Sequence, residues 1–364
     1  MTAYITATGR FLPGPAIDNE HIEAHLGLVN GKPSRLKNKI LKSNGIKTRH
    51  YAIDNQQKTY ISNHQMAASA AKACLQAGGM STNAITMLSC ATSQGDLVLP
   101  GFGSMVQAEL ELSDVEINTC HGICSSSMMA LKAAANSVRL QEHNSALVVA
   151  SEFSSRLFKA SRYEASKNEL DFNAEFLRWM LSDGAGSILL ENKPRPNSLR
   201  IDWIKCFSHA DAYPVCMSVG QVPGDANTWQ DYATYAEAEA AGALLLRQDV
   251  RLLDNIVKVG VDGFLRLIDQ QLISPSDIDH VLCHYSSDYF RSRIFDLLKK
   301  AGASIDENKW YTNLYERGNT GCASIFIMLD EFLQTQTYES GQRILCMVPE
   351  SGRFNTAYMQ LTVV

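Results

Sequence analysis

Ile117-Asn118-Thr119-Cys120-His121-Gly122-Ile123-Cys124-Ser125-Ser126-Ser127-Met128-Met129-Ala130-Leu131 is the stretch that decides how this chain is read. An extended run leads in, a Gly-containing turn follows, and behind Cys124 comes a helical pattern rich in Ala, Met and Leu. A thiol at a helix N-terminus feels the positive pole of the helix and its free backbone N–H groups, which favour the thiolate. Such a thiolate is a nucleophile for acyl groups.

The same strand–turn–helix shape returns in Trp310-Tyr311-Thr312-Asn313-Leu314-Tyr315-Glu316-Arg317-Gly318-Asn319-Thr320-Gly321-Cys322-Ala323-Ser324-Ile325, where Asn319 stands 195 residues after Cys124. Ahead of it, Ile278 to Ser286 matches Ile85 to Ser93 at an offset of 193, which sets Cys283 on Cys90. Behind it, Ile344-Leu345-Cys346-Met347-Val348-Pro349-Glu350 matches Ala146-Leu147-Val148-Val149-Ala150-Ser151-Glu152 at 198. Matches in one order with a slowly growing offset indicate a duplicated α/β unit. Apolar runs such as Ala146–Ala150 and Ser187–Leu190 suit strands covered on both faces. The polar, Pro-rich stretch Asn192-Lys193-Pro194-Arg195-Pro196-Asn197 marks the boundary, giving halves of 1–193 and 194–364. Residues 156–180 lack a sustained period and are expected to form a capping or dimer-interface insertion, as is 211–230.

The 364 residues, 45% of them hydrophobic, can build one large core or two fused ones. A net charge of −5 leaves no electrostatic footprint for nucleic acid. No window reaches the apolar length of a membrane span. Met1-Thr2-Ala3-Tyr4-Ile5-Thr6-Ala7 lacks a secretion signal and reads as a first strand. Nine cysteines, an odd number without framework spacing, suit buried free thiols in a cytoplasmic setting. Cys120 and His121 beside Cys124 invite a metal reading, but no second ligand pair stands nearby, so no metal is expected and both are taken as packing or pocket wall.

The repeat sets Cys124, His284 and Asn319 at equivalent ends of two units. If those ends converge, a thiolate can attack a thioester carbonyl, while an imidazole and a carboxamide hydrogen-bond a carbonyl oxygen that becomes an enolate. Each residue alone has a plainer reading: a buried thiol, a satisfied core histidine, a helix cap.

Cys124-Ser125-Ser126-Ser127-Met128-Met129-Ala130-Leu131 resembles the Cys-Ala-Gly-Phe-x-x-Ala-Leu run of type III ketoacyl synthases. His284 resembles the first residue of their His-Gln-Ala-Asn motif, and Gly318-Asn319-Thr320-Gly321-Cys322-Ala323-Ser324 their Gly-Asn-Thr-Ser-x-Ala-Ser. Asn44-Gly45-Ile46-Lys47-Thr48-Arg49, Cys90-Ala91-Thr92-Ser93 and Asp183-Gly184-Ala185-Gly186-Ser187 follow in the family's order. The resemblance implies a thiolase-like, five-layer αβαβα fold of two pseudo-symmetric βαβαβαββ halves. It implies a homodimer fed with acyl-CoA or acyl-carrier-protein thioesters through a phosphopantetheine tunnel, and no other cofactor. By likeness Cys124 carries the acyl group, and His284 and Asn319 hold the second thioester. The oxyanion hole would pair the Cys124 N–H with a backbone N–H of the loop holding Gly352 and Arg353. In the basic run from Lys32 to Arg49, the residues Lys32, Arg35, Lys37 and Arg49 are expected to meet a carrier protein or a CoA phosphate, unless they form only a solvated face.

Three departures narrow the resemblance. The family's C-terminal glycine run is here Pro349-Glu350-Ser351-Gly352-Arg353-Phe354, its His-Gln-Ala-Asn is His284-Tyr285-Ser286-Ser287, and Leu26 to Lys37 is unlike the fatty-acid-initiating enzymes. These features look most like the subgroup making dialkylresorcinols and cyclohexanediones, including bacterial stilbene precursors. That likeness implies Claisen condensation of a Cys-bound acyl group with a β-ketoacyl thioester, without decarboxylation, and then ring closure. Relatives that couple two acyl chains place a glutamate before a proline where this chain has Leu99-Pro100, so His284 is the first candidate base and Glu152 the second. The rival readings are an initiating synthase that condenses acyl-CoA with a malonyl-carrier protein, and a Cys–His–Asn thioester hydrolase. Met128, Met129 and Phe102 are expected to shape the acyl pocket.

Overall fold

The structure is a computed structural model that describes residues 2–167 and 170–364. Met1, at the head of the expected first strand, lies outside the described residues, as do Asn168 and Glu169 within the expected 156–180 insertion.

The chain runs β1 (Tyr4–Phe11), α1 (Asn63–Ala77), β2 (Met87–Thr92), α2 (Phe102–Leu110), β3 (Glu116–His121), α3 (Ser126–Leu140), β4 (Ser145–Glu152) and β5 (Gly184–Glu191). It then repeats the pattern as β6 (Leu199–Ser208), α4 (Asp254–Asp269), β7 (His280–Cys283), α5 (Tyr289–Lys300), β8 (Trp310–Tyr311), α6 (Ser324–Thr335), β9 (Arg343–Glu350) and β10 (Asn355–Val363). Each half is βαβαβαββ, ordered β3-β2-β4-β5-β1 in the first and β8-β7-β9-β10-β6 in the second. In each, the second strand is parallel to its two neighbours and the last two strands are antiparallel. Register carries the duplication to single residues: Cys90 pairs with Val149, and its counterpart Cys283 pairs with Met347.

The halves join at a seam of two residue pairs, Tyr4↔Arg200 and Ile5↔Leu199, between β1 and β6. Helices α1 and α2 cover the outer face of the first sheet, and α4 packs on β9 and β10 of the second with α5 beside it. Helices α3 and α6 lie between, α3 touching β2, β4 and β6 and α6 touching β5, β1 and β7, which makes five layers. A helix between two sheets must be apolar or small on most sides, and Ala130, Leu131, Ala134, Ala135 and Val138 of α3 are all buried. The close packing of α1 depends on Gly9 in β1: a Cβ there would lie 2.4 Å from the backbone N of Cys74.

The described residues of 154–180 form short helical turns at Ser154–Leu157, Ala160–Glu164, Phe172–Glu175 and Leu177–Trp179, anchored by the buried Tyr163, Arg178 and Trp179. Within 211–230, Met217–Ser218 pairs with Arg247–Gln248 as a two-stranded ribbon. Among the described residues, no helix is long and apolar enough to cross a membrane.

Candidate active site

Strand β3 ends at His121. Gly122 and Ile123 turn the chain, and Cys124 is set two residues ahead of the first residue of α3. The pseudo-equivalent turn after β8 carries a four-residue helix and then Gly318, whose φ of +71° gives the chain the left-handed bend that presents Asn319. His284 directly follows β7, its backbone N–H held by the carbonyl of Met347 at 2.9 Å.

These three side chains line one cavity of about 360 Å3, together with Glu152. Cys124, His284 and Asn319 are 6%, 2% and 3% exposed, so these three side chains sit beyond the reach of bulk water. Asn319 Oδ1 accepts the Gly321 N–H at 2.9 Å, which fixes the amide so that its Nδ2 is the end left for a ligand. Burial lowers the pKa of His284 to about 4, so the imidazole rests neutral, and its Nε2 is buried without a partner among the described residues. A buried ring nitrogen left open on a cavity wall is poised for a proton or hydrogen bond that a ligand supplies.

The Cys124 thiol departs from the sequence expectation. Its pKa lies well above the ordinary thiol range, pushed up by burial first and then by the carboxylates of Glu350 and Glu152. The helix pole that should favour a thiolate is already occupied: Glu350 Oε2 accepts the Ser125 N–H at 2.8 Å and the Ser125 hydroxyl at 2.6 Å. Glu350 lies beyond the reach of local sequence reasoning, because its partner is far away in the chain; the one signal is its place in the altered glycine run.

Glu152 is 2% exposed and accepts the Ser93 N–H at 3.2 Å, the Ser93 hydroxyl, and the Cys322 N–H at 3.2 Å. Burial is the largest influence on its pKa and raises it, against those bonds. It ties the end of β2 to the Asn319 turn while facing the cavity.

Other expected residues are placed differently. Gly352 is buried against Ile123, and its carbonyl accepts the N–H groups of Cys216 and Met217 at 2.9 and 3.2 Å. Arg353 is exposed, its Nε donating to the Tyr213 carbonyl at 3.4 Å, and the residue of this loop on the cavity wall is Ser351. Ser351 in turn donates to Gln248 Oε1 at 3.3 Å; the buried Gln248 was not singled out in the sequence. Arg49 is a correction: its guanidinium is fully buried and bound to Asn19 and to the Trp179 carbonyl, where no carrier phosphate can reach it. Lys37 pairs with Glu23 at 2.8 Å, and Lys32 and Arg35 are exposed. Met128, Met129 and Phe102 are absent from the cavity wall, because Met128 and Phe102 pack into other core clusters and Met129 faces outward. The apolar wall comes instead from Leu157, Phe176 and Met180 on one side and from Ile256, Val257 and Phe290 on the other. His121 lines the cavity and Cys120 packs against the core; no metal-binding group of His, Cys, Asp or Glu occurs among the described residues.

Residues 268–353 match the family model for the C-terminal part of 3-oxoacyl-[acyl-carrier-protein] synthase III, a span holding His284, Asn319 and Glu350. Over the whole chain the fold is similar to solved structures. AbyA1, described as a tetronic acid condensing enzyme, has a TM-score of 0.79 and 20% identity, covering 99% of each chain. A variant of OleA from Xanthomonas campestris, with bound lauric acid and lauroyl-CoA, has a TM-score of 0.78 and 19% identity, covering 100% of this chain and 99% of that one. FabH from Pseudomonas aeruginosa PAO1, a 3-oxoacyl-(acyl carrier protein) synthase III, has a TM-score of 0.77 and 19% identity, covering 100% of both. The architecture is therefore the mixed α/β, thiolase-like fold of those proteins.

Proposed function

We propose that this chain is an acyltransferase of the condensing-ketosynthase type, which joins an acyl group on Cys124 to a second thioester. The observation that carries the reading is a single apolar cavity walled by Cys124, by the neutral His284 with Nε2 unpartnered, and by Asn319 with its amide oriented. The family match over 268–353 supports it.

The finer reading is condensation without decarboxylation. In loading, the Cys124 thiol proton passes to His284 Nε2, sulfur attacks the thioester carbonyl, and the departing thiol takes the proton back. A β-ketoacyl thioester then enters, its α-carbon acidified by two carbonyls. His284 Nε2 takes the α-proton, and the imidazolium with Asn319 Nδ2–H stabilises the enolate oxygen. The enolate attacks the acyl carbonyl, and Cys124 leaves as a thiolate that recovers the proton from His284. The resting pair is restored and the product is free to cyclise within the pocket, toward a cyclohexanedione or resorcinol-type ring. The initiating-synthase reading rests on the match of residues 268–353 to the synthase III family and needs a malonyl donor instead.

Homodimerisation is part of the proposal. Leu97, Val98 and Leu99 are 51%, 76% and 82% exposed on one loop, and β3 is an edge strand with no partner on its outer side among the described residues. Acyl-CoA or acyl-carrier-protein thioesters are the proposed substrates, with Lys32 and Arg35 open to their phosphates.

Intact-protein mass spectrometry after incubation with acyl-CoA tests the loading step. The expected result is one acyl adduct on the wild type and none on Cys124→Ala. Offering malonyl or β-ketoacyl donors to the acylated protein then separates the two condensations, the first releasing carbon dioxide. Free fatty acid as the dominant product would instead mark a hydrolase.

A further inference from the structure

Glu350 is the last residue of β9 and 4% exposed, yet it does not line the cavity. One carboxylate oxygen takes both hydrogen bonds that Ser125 can donate, from its N–H and its hydroxyl. The other accepts from Asn355 Nδ2 at 3.0 Å. Three donors therefore converge on this buried carboxyl. It sits at the N-terminus of α3, against the residue that follows the nucleophile, and acts to raise the Cys124 thiol.

We propose that Glu350 is a positioning residue that fixes the Cys124 turn and holds the sulfur as a protonated thiol in the resting enzyme. This inference rests on the reading of Cys124 as the nucleophile. The carboxyl groups acting on the thiol are Glu350 from β9 and Glu152 from β4, both of which raise it, while His284 beyond β7 is neutral. The Cys322 thiol, on the Asn319 turn, is itself raised well above its ordinary range and adds no positive charge.

The consequence is chemical. Without the carboxylate, the Ser125 N–H and the pole of α3 would stabilise a standing thiolate. With it, the free enzyme presents a thiol that attacks only when a thioester is in place and His284 Nε2 receives the proton. A protonated, buried thiol also resists stray alkylation and oxidation.

The test is the pH dependence of Cys124 alkylation by iodoacetamide, read by mass spectrometry of that peptide in folded protein without substrate. The wild type is expected to show a midpoint above the ordinary thiol value of about 8.5. Glu350→Gln should lower the midpoint by at least about one unit, which means about tenfold faster alkylation below it. Glu350→Asp keeps the charge and should follow the wild type. A Glu350→Gln curve superposed on the wild type overturns the proposal, as does an aspartate variant shifted as far as the glutamine one. If Glu350→Gln fails to fold, the wild-type midpoint still decides, because a value below about 8.5 means that the thiol ionises more readily than a free one, which overturns a carboxylate that holds it protonated. No acyl donor enters this measurement, so failure of the wild type to accept an acyl group would sink the condensing function and leave the Glu350 comparison to be read separately.

Discussion

Glu152, at the end of β4, accepts the backbone N–H of Cys322 at 3.2 Å, so a carboxylate of the first half holds the turn that carries Asn319 in the second. The approach is close because Gly321 has no side chain: its φ is +53°, and a Cβ there would lie 2.9 Å from Glu152 Cγ and Oε1. Gly321→Ala is therefore expected to destabilise the protein by about 2–3 kcal/mol in urea unfolding. It should also lower condensation more than acyl loading, because the displaced element bears Asn319 and not Cys124. Equal losses in both steps would argue against this link.

Asn319→Asp keeps an acceptor for the Gly321 N–H but replaces the Nδ2 donor with an anionic oxygen. The fold should survive, and acylation of Cys124 should continue. Condensation should fall on the order of 100- to 1,000-fold, the usual cost of one oxyanion donor. Mass spectrometry of the stalled acyl-enzyme beside a product assay checks both halves of this expectation.

His284 also sets an acid limit. Its pKa is lowered from 6.5 to about 4 by burial, so between those values the unfolded chain binds a proton that the folded chain refuses. Stability from this residue is whole above pH 6.5 and is lost as pH falls toward about 4, by up to about 3 kcal/mol. His284→Asn removes that titration, so unfolding free energies at pH 7 and pH 4.5 should differ less in the variant than in the wild type.

Gly260 of α4 lines the cavity, and the nearest atom to a Cβ there is 3.8 Å away, in Pro349. Alanine should fit without disturbance. Leucine should extend into the cavity and reduce kcat/KM for long acyl donors by about 10- to 100-fold, with short donors little affected. Equal loss across chain lengths would mean that the acyl chain does not run past α4.

The duplication was legible because strand composition, turn position and helix start all repeat, and each is a local property. The convergence of Cys124, His284 and Asn319 on one cavity followed from it, since pseudo-symmetric turns meet where pseudo-symmetric sheets face each other. Side-chain direction was less legible. Arg49 sat in a basic run expected to meet a carrier protein or a CoA phosphate, or to form a solvated face, yet a two-residue ribbon with Ile17–Asp18 turns it under the Trp179 segment. Met128 follows the nucleophile closely in sequence, but helical rotation sends it into the core between the sheets. The thiolate expectation failed for a related reason. The positive pole of α3 is a property of the segment, whereas the carboxylate that answers it arrives from β9, on the far side of the chain boundary.

The division of the reactive groups between the two copies governs when chemistry becomes possible during biosynthesis. The nucleophile emerges from the ribosome with the first copy, and the imidazole and carboxamide follow only with the second. An unfinished or truncated polypeptide therefore carries the sulfur without that imidazole and without an enolate cradle, so under the proposed function competence for carbon–carbon bond formation arrives only after the final strands have docked.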